Sequence, residues 1–254
     1  DLIHSQAFDV PTAFRSGDHL STPGSLHCFN LAQGIKWPLV VYQQHPDEKY
    51  PEATQKAFRD LRQNFGQPYG LFGGDEALHS ADPTQGSELC SAVEMMFSLE
   101  TMLSITGNIL YADHLEKIAF NALPAQISDD FLGRQYFQQA NQVMITRQMR
   151  NFDVNHDGTD VCFGLLTGYP CCTSNMHQGW PKFTQNLFYA TSDRGAAALV
   201  YAPAQVRLKV AGGEEILIRE ETNYPFEEKI TFHFKLSEGS DHLTFPFRLR
   251  IPGW

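Results

Sequence analysis

Near residue 190 the apolar residues change the period at which they recur, and this change limits the fold to two joined parts. Before it, apolar groups return every three or four residues. Ala53, Ala57, Phe58 and Leu61 form one stripe, which predicts a helix from Glu52 to Phe65 between Pro51 and Gly66. Val93, Met96, Phe97, Met102 and Leu103 predict a long apolar helix from Leu89 to Thr106, closed by Gly107-Asn108. Another is predicted from Tyr111 to Leu123, where Pro124 stops it. An earlier helical run extends from Leu26 and His27 to Tyr42, with a kink expected at Pro38. Short loops between such helices indicate αα-hairpins. Past Trp180 the apolar residues fall in short runs, several of them alternating: 199–201, 205–210, 215–218, 229–234 and 243–251. Gly212-Gly213, Pro225 and Gly239 separate them, which is the pattern of an antiparallel β-sandwich. The chain therefore reads as an α+β, multidomain fold: helices over 1–190, then strands over 191–254. The first twenty or so residues, punctuated by Pro11, Gly17, Pro23 and Gly24, read as irregular.

Charge and cysteine content exclude several functions. The 254 residues carry 29 acidic and 19 basic side chains, a formal charge of -10, with no Lys/Arg cluster. Such a surface does not suit a phosphate backbone, so no nucleic-acid partner is expected. The sequence shows no apolar run long enough to span a membrane, so no membrane partner is expected either. Five cysteines, an odd number, do not form the disulfide framework of a small secreted domain. The chain opens Asp-Leu-Ile-His without a signal-peptide pattern and closes on the strand-like Arg248–Trp254, so both ends are expected to be cut. The compartment stays open: a reducing cytosol suits zinc thiolates, and a periplasmic location is equally compatible.

The densest chemistry lies in Tyr169-Pro170-Cys171-Cys172-Thr173. Adjacent cysteines can form a strained vicinal disulfide, pack as two inert thiols, or share a metal. A second element, Gly86-Ser87-Glu88-Leu89-Cys90, offers a carboxylate and a thiolate two residues apart. Glu88, Cys90, Cys171 and Cys172 together make a complete tetrahedral set for zinc. Residues i and i+2 diverge on a helix, so Glu88 and Cys90 are expected at or just before the first turn of the helix that follows. Pro170 keeps Tyr169 out of helix, which suits a loop where Cys171 and Cys172 converge. Cys28 and Cys162 read as core thiols. Asp153-Val154-Asn155-His156-Asp157-Gly158 matches half an EF-hand loop, but Gly164 stands where a bidentate Glu is required, so a turn is expected. No Walker A, dinucleotide fingerprint or Gly-x-Ser-x-Gly elbow is present.

A closed ligand set without an open position argues against zinc-hydroxide hydrolysis. If the site is catalytic, an ionised cysteine attacks and a separate acid protonates the leaving group. Glu76, after Gly73-Gly74-Asp75 and beside Phe72, is the candidate, with partial desolvation expected to keep it protonated. The competing reading is a solvated loop acid; for Asp113 and Glu116 it is an exposed helix face.

These pieces together resemble glycoside hydrolase family 127 and its relative family 146, the β-L-arabinofuranosidases with a zinc-bound cysteine nucleophile. The resemblance is carried by His27–Ala32, Gly74-Asp75-Glu76, Gly86–Cys90, Tyr111–Glu116, Tyr136, Cys171-Cys172 and the closing Arg250-Ile251-Pro252-Gly253-Trp254, in the family's order. It implies an (α/α)6 toroid, partial in this chain, followed by a β-sandwich. It further implies zinc on Glu88, Cys90, Cys171 and Cys172, with Cys171 as nucleophile and Glu76 as general acid and then base. His27, Glu116 and Tyr136 would contact the hydroxyls of a carbohydrate substrate, and the outcome would be retention. The alternatives are a carbohydrate-binding or scaffold protein with a purely structural zinc, and a relative acting on a different sugar.

Overall fold

The computed structural model describes residues 27–237 and 242–254. The irregular opening segment of the sequence lies outside them. Helix α1 is Cys28–Gly34, α2 Trp37–Tyr42, α3 Lys49–Phe65, α4 Leu89–Thr106 and α5 Ile109–Lys117. A π-turn, Ile118–Ala122, carries α5 into the short α6, Leu123–Ala125. Two more helices, α7 (Cys171–Met176) and α8 (Gly179–Gln185), follow a long irregular excursion.

Most of the helical part packs on α4, while α3 packs on α2. The α4 sequence is apolar on nearly every face, and Leu89, Ala92, Val93, Met96, Leu99 and Leu103 are all buried. Helices α1, α5, α7 and α8 all pack against it. By length and composition α4 could cross a membrane, which corrects the reading that no such run exists; here 72% of it is buried inside the protein. It ends on Gly107, whose φ of 65° is the left-handed conformation that glycine adopts without strain. Asn108 then caps α5 by accepting the Leu110 N–H.

Three boundaries differ from expectation for proline-related reasons. The single kinked helix before Tyr42 is two helices, and Pro38 sits in the first turn of α2, where its missing N–H is harmless. Helix α3 begins earlier than predicted and takes Pro51 into its first turn for the same reason. The third predicted helix starts at Ile109 after its Asn108 cap, and Pro124 does not stop it: after the π-turn the proline falls in the first turn of α6.

A small sheet lies on the helical part, in the order β2 (Ala77–Leu78), β1 (Gly74–Asp75), β3 (Ser87–Glu88) and β4 (Phe137–Gln138). Its two-residue strands come from what the sequence presents as loop. Beyond α8 come two three-stranded sheets. One pairs β5 (Phe188–Ala190) with β6 (Ala196–Ala198) antiparallel, and β6 with β10 (Phe247–Leu249) parallel, so the strands are not all antiparallel as predicted. The other runs β7 (Ala204–Val210), β8 (Glu214–Thr222) and β9 (Ile230–Leu236), fully antiparallel. Val210, Ile216 and Ile218 of the second sheet share a small core with Ala196 of the first. Residues 199–201, predicted as a strand, are not one; Val200 and Tyr201 are instead buried against the helical part.

That junction is polar at its centre. Arg250, fully buried, ion-pairs with Asp113 and Glu116 of α5 and donates from Nε to the Leu199 carbonyl at 2.6 Å. Glu116 also accepts the Tyr201 N–H at 3.1 Å and the Tyr224 hydroxyl at 2.5 Å.

Candidate active site and metal centre

The small sheet and the start of α4 place the acidic groups. Glu88 closes β3 in extended conformation (φ -76°, ψ 140°) and is the N-cap residue of α4, which puts Cys90 in the first helical turn. Glu76 lies between β1 and β2 at φ 90°, a strained conformation for a residue with a Cβ. The strand before it has no room for a side chain at Gly74, where a Cβ would collide with the sulfur of Cys28. Cys28 is thus the core thiol expected, whereas Cys162 is only half buried.

The other half comes from the excursion before α7. Cys171 and Cys172 occupy the first turn of α7 rather than the loop the sequence suggests, with Pro170 as the N-cap residue. Arg134, completely buried, fixes that approach. Its guanidinium donates to the carbonyls of Thr167, Leu165 (3.1 Å) and Tyr169 (2.9 Å) and to the Thr173 hydroxyl (3.0 Å). Gly168 (φ 61°) passes so close to the Tyr136 ring that any side chain there would overlap it.

These elements bring Glu88, Cys90, Cys171 and Cys172 together. The Sγ–Sγ distances are 3.5 Å (Cys90–Cys171), 3.3 Å (Cys90–Cys172) and 4.0 Å (Cys171–Cys172). Glu88 Oε1 is 3.7 Å from Cys171 Sγ and 3.9 Å from Cys172 Sγ. No cysteine is in a disulfide. Tetrahedral zinc with sulfur at about 2.3 Å sets S···S edges of about 3.8 Å and somewhat shorter S···O edges. The donor set, its spacing and its burial therefore fit one zinc ion. Asn175 donates to Cys90 Sγ at 3.1 Å, support that suits an anionic sulfur.

Charge is distributed unevenly among these groups. Hydrogen bonds from Cys172 and Cys90 hold the Cys171 thiol well below the ordinary value, while burial raises Cys172. Burial, with Glu76 and Cys171 nearby, pushes Glu88 up to about 7. A divalent cation would reverse the shifts that oppose ionisation.

Beside this cluster stands a second one. His27 Nε2 lies 2.6 Å from Glu76 Oε2, and the Tyr136 hydroxyl donates to Glu76 Oε1. His27 Nδ1 accepts the Phe29 N–H at 3.2 Å, which orients the ring. Burial raises the Glu76 carboxyl, but the bonds from His27 and Tyr136 outweigh it and leave the group below the ordinary value. The expectation of a carboxyl kept protonated by desolvation is corrected accordingly. The same bond raises His27.

Both clusters face one cavity of about 430 Å³, with Cys171, Glu76, His27 and Tyr136 in its wall. Glu116 does not join them. It is buried at the junction with Arg250, Tyr201 and Tyr224, so the structure places it apart from the cavity it was expected to line, and its helix face is not exposed. The half EF-hand is a turn, with Asp157 and Gly158 both at positive φ. Asp153 lies 3.1 Å from His79, which also meets the buried Asp75 at 2.6 Å. Two features escaped the sequence reading. One is Arg134. The other is His156, held by Asp160 four residues on, a spacing that was legible but was read only as part of the calcium-loop decoy.

Residues 22–185 match the GH127 catalytic domain of β-L-arabinofuranosidases, and 196–254 match the GH127 middle domain. The non-reducing end β-L-arabinofuranosidase of Bifidobacterium longum subsp. longum is 26% identical over 171 residues, which is 67% of this chain and 25% of that protein. A GH127 β-L-arabinofuranosidase from Geobacillus stearothermophilus T6 superimposes with a TM-score of 0.75 at 19% identity, over 90% of this chain and 36% of its own. A second GH127 β-arabinofuranosidase gives 0.71 at 20%, over 90% and 34%. The chain thus spans well under half the length of these relatives.

Proposed function

The chain belongs to glycoside hydrolase family 127, and from that premise we propose that it is part of a retaining exo-glycosidase acting on β-L-arabinofuranosides or related sugars. Residues 1–190 would be the C-terminal part of an (α/α)6 catalytic unit and 191–254 the first strands of a β-sandwich. The observation that carries the activity is the convergence of the sulfur-rich cluster and the Glu76–His27–Tyr136 cluster on one cavity.

In this reading Glu88, Cys90, Cys171 and Cys172 hold a zinc ion, which keeps the sulfurs ionised at neutral pH. Cys171 is half-buried in the cavity wall, so its thiolate is the one that reaches the substrate. Its sulfur attacks the anomeric carbon as the glycosidic C–O bond breaks. The leaving oxygen takes a proton from Glu76. His27 Nδ1 accepts the Phe29 N–H, so in this geometry the ring keeps its Nε2 proton to hold the carboxyl in place, and the acid form of Glu76 is made by a proton from solvent. Glu76, left as carboxylate, then removes a proton from water, which attacks the same carbon and releases the Cys171 thiolate. Two inversions give retention. His27 and Tyr136 orient Glu76 and are placed to meet sugar hydroxyls.

Replacing Glu76 by Gln tests the scheme. Turnover of an aryl β-L-arabinofuranoside should fall by at least about a hundredfold, with zinc content unchanged. Undiminished turnover would remove Glu76 from its role. A binding or scaffold protein with a purely structural zinc predicts no turnover in the parent protein.

A further inference from the structure

The β1–β2 hairpin carries a cluster that no step above uses. Asp75 ends β1 with its side chain completely buried, and His79 follows β2, its N–H held by the Gly73 carbonyl at 3.1 Å. Asp153, the first residue of the half EF-hand, reaches them from the irregular excursion, 78 positions beyond Asp75. His79 Nε2 lies 2.6 Å from Asp75 Oδ1 and 3.1 Å from Asp153 Oδ2, and the three ligand atoms lie within 4.8 Å of one another. The other Asp75 oxygen, Oδ2, accepts the Asp153 N–H at 3.2 Å, which orients the carboxylate and ties the excursion to it.

An ordinary histidine–aspartate ion pair does not account for this arrangement. Asp75 Oδ1 and His79 Nε2 are both buried, yet at 2.6 Å neither makes a hydrogen bond, so the ring nitrogen is not aimed at the oxygen. Two donor atoms side by side that do not point at each other stand as ligands sharing one ion do. Charge leads the same way. Neither carboxylate has a Lys or Arg ion-pair partner among the described residues, so two negative charges, one of them fully buried, face a single imidazole. Buried charge is held by pairing or by a metal. With the imidazole neutral, one divalent cation balances the two carboxylates.

We infer that Asp75, His79 and Asp153 form a second metal site, separate from the sulfur cluster, for a divalent cation of the Mn²⁺ type. One imidazole and two carboxylates without sulfur suit a harder ion than three cysteines do. Water completes the shell, so this ion exchanges more readily than zinc in the closed sulfur set. It takes no part in bond breaking. It fastens β1, which Glu76 follows directly, to the segment in which Asp153 precedes Val154 of the cavity wall.

The test titrates Mn²⁺ into the full-length protein, first loaded with zinc and desalted so that the sulfur cluster is filled, and follows the paramagnetic resonance of the free ion. The parent should take up one Mn²⁺ per chain saturably, and the bound ion should show spin-echo modulation from one imidazole nitrogen. D153A should weaken uptake at least about tenfold, and H79Q should remove the nitrogen modulation. D129A, which removes an exposed acid outside the cluster, should change neither. The Asp153 side chain is 41% exposed, so D153A keeps the test open if H79Q fails to fold, and thermal unfolding reports folding of each variant. No saturable uptake by the folded parent would overturn the inference and leave His79 as an imidazolium between two carboxylates. Uptake unmoved by D153A, or weakened equally by D129A, would also overturn it and assign the ion to scattered surface acids. Binding is read here, not turnover, so the outcome stands apart from that of the glycosidase reading.

Discussion

Glu116 is where the family resemblance and the structure make opposite predictions, so E116Q separates them. In the structure its carboxylate is 1% exposed and holds Arg250, the Tyr201 N–H and the Tyr224 hydroxyl. Removing one member of a buried pair costs about 3–5 kcal/mol, because the other charge remains buried. Asp113 still pairs with Arg250, and the Gln oxygen can still accept from Tyr201, so the lower end, about 3 kcal/mol, applies. For a chain of this size that corresponds to a melting temperature lower by about 6–12 °C. R250M should destabilise by a similar amount, and the double variant by less than the sum of the two, since they share one interaction. The assay is thermal unfolding of the three variants, with KM for an aryl β-L-arabinofuranoside measured well below the transition. The expected result is a large thermal shift with KM within about twofold of the parent, well under the factor of ten that 1.4 kcal/mol would bring. An unchanged melting temperature with a strongly raised KM would put Glu116 in contact with sugar and refute the junction argument.

Further predictions follow from Arg134 and from two carboxylates. R134K cannot reproduce a fork that satisfies three carbonyls and a hydroxyl, so it should destabilise the approach to α7; measured zinc content should fall along with thermal stability. Glu220 is pushed by burial to about 8, so the folded protein retains a proton that the unfolded chain releases near 4.5. Stability therefore falls as pH rises between those values, and E220Q should gain on the parent steadily from pH 5 to pH 8 in denaturant titrations. At the His27–Glu76 pair the signs are opposite for the two members. Glu76 is lowered, so its contribution is lost as pH falls below about 4.5; His27 is raised, so its contribution is present below 6.5 and lost as pH rises through its folded value. The stability difference between parent and E76Q should accordingly be largest in mildly acidic solution.

What the sequence made legible was periodic or local. Helix α4 announces itself by length and by Gly107, and the placement of Glu88 and Cys90 at its start follows from their two-residue spacing. The strands that flank Glu76 and the one that ends in Glu88 are two residues long, too short to leave an alternation. Arg134 was invisible because its partners are carbonyls some thirty residues away, and carbonyls leave no mark on composition. Glu116 looked like a solvated helix charge because Arg250 lies 134 positions further on. Desolvation alone predicted a protonated Glu76; the two donors that reverse it, His27 and Tyr136, come from segments separated by more than a hundred residues.

The central claim is that one zinc ion is gathered by Glu88, Cys90, Cys171 and Cys172. Zinc K-edge absorption on the purified protein tests it most directly, with metal content measured on the same sample. The account predicts one zinc per chain, with three sulfur neighbours at about 2.3 Å and one oxygen at about 2.0–2.2 Å. Zinc absent after purification without chelators and not taken up on addition, or a shell of nitrogen and oxygen only, would contradict it.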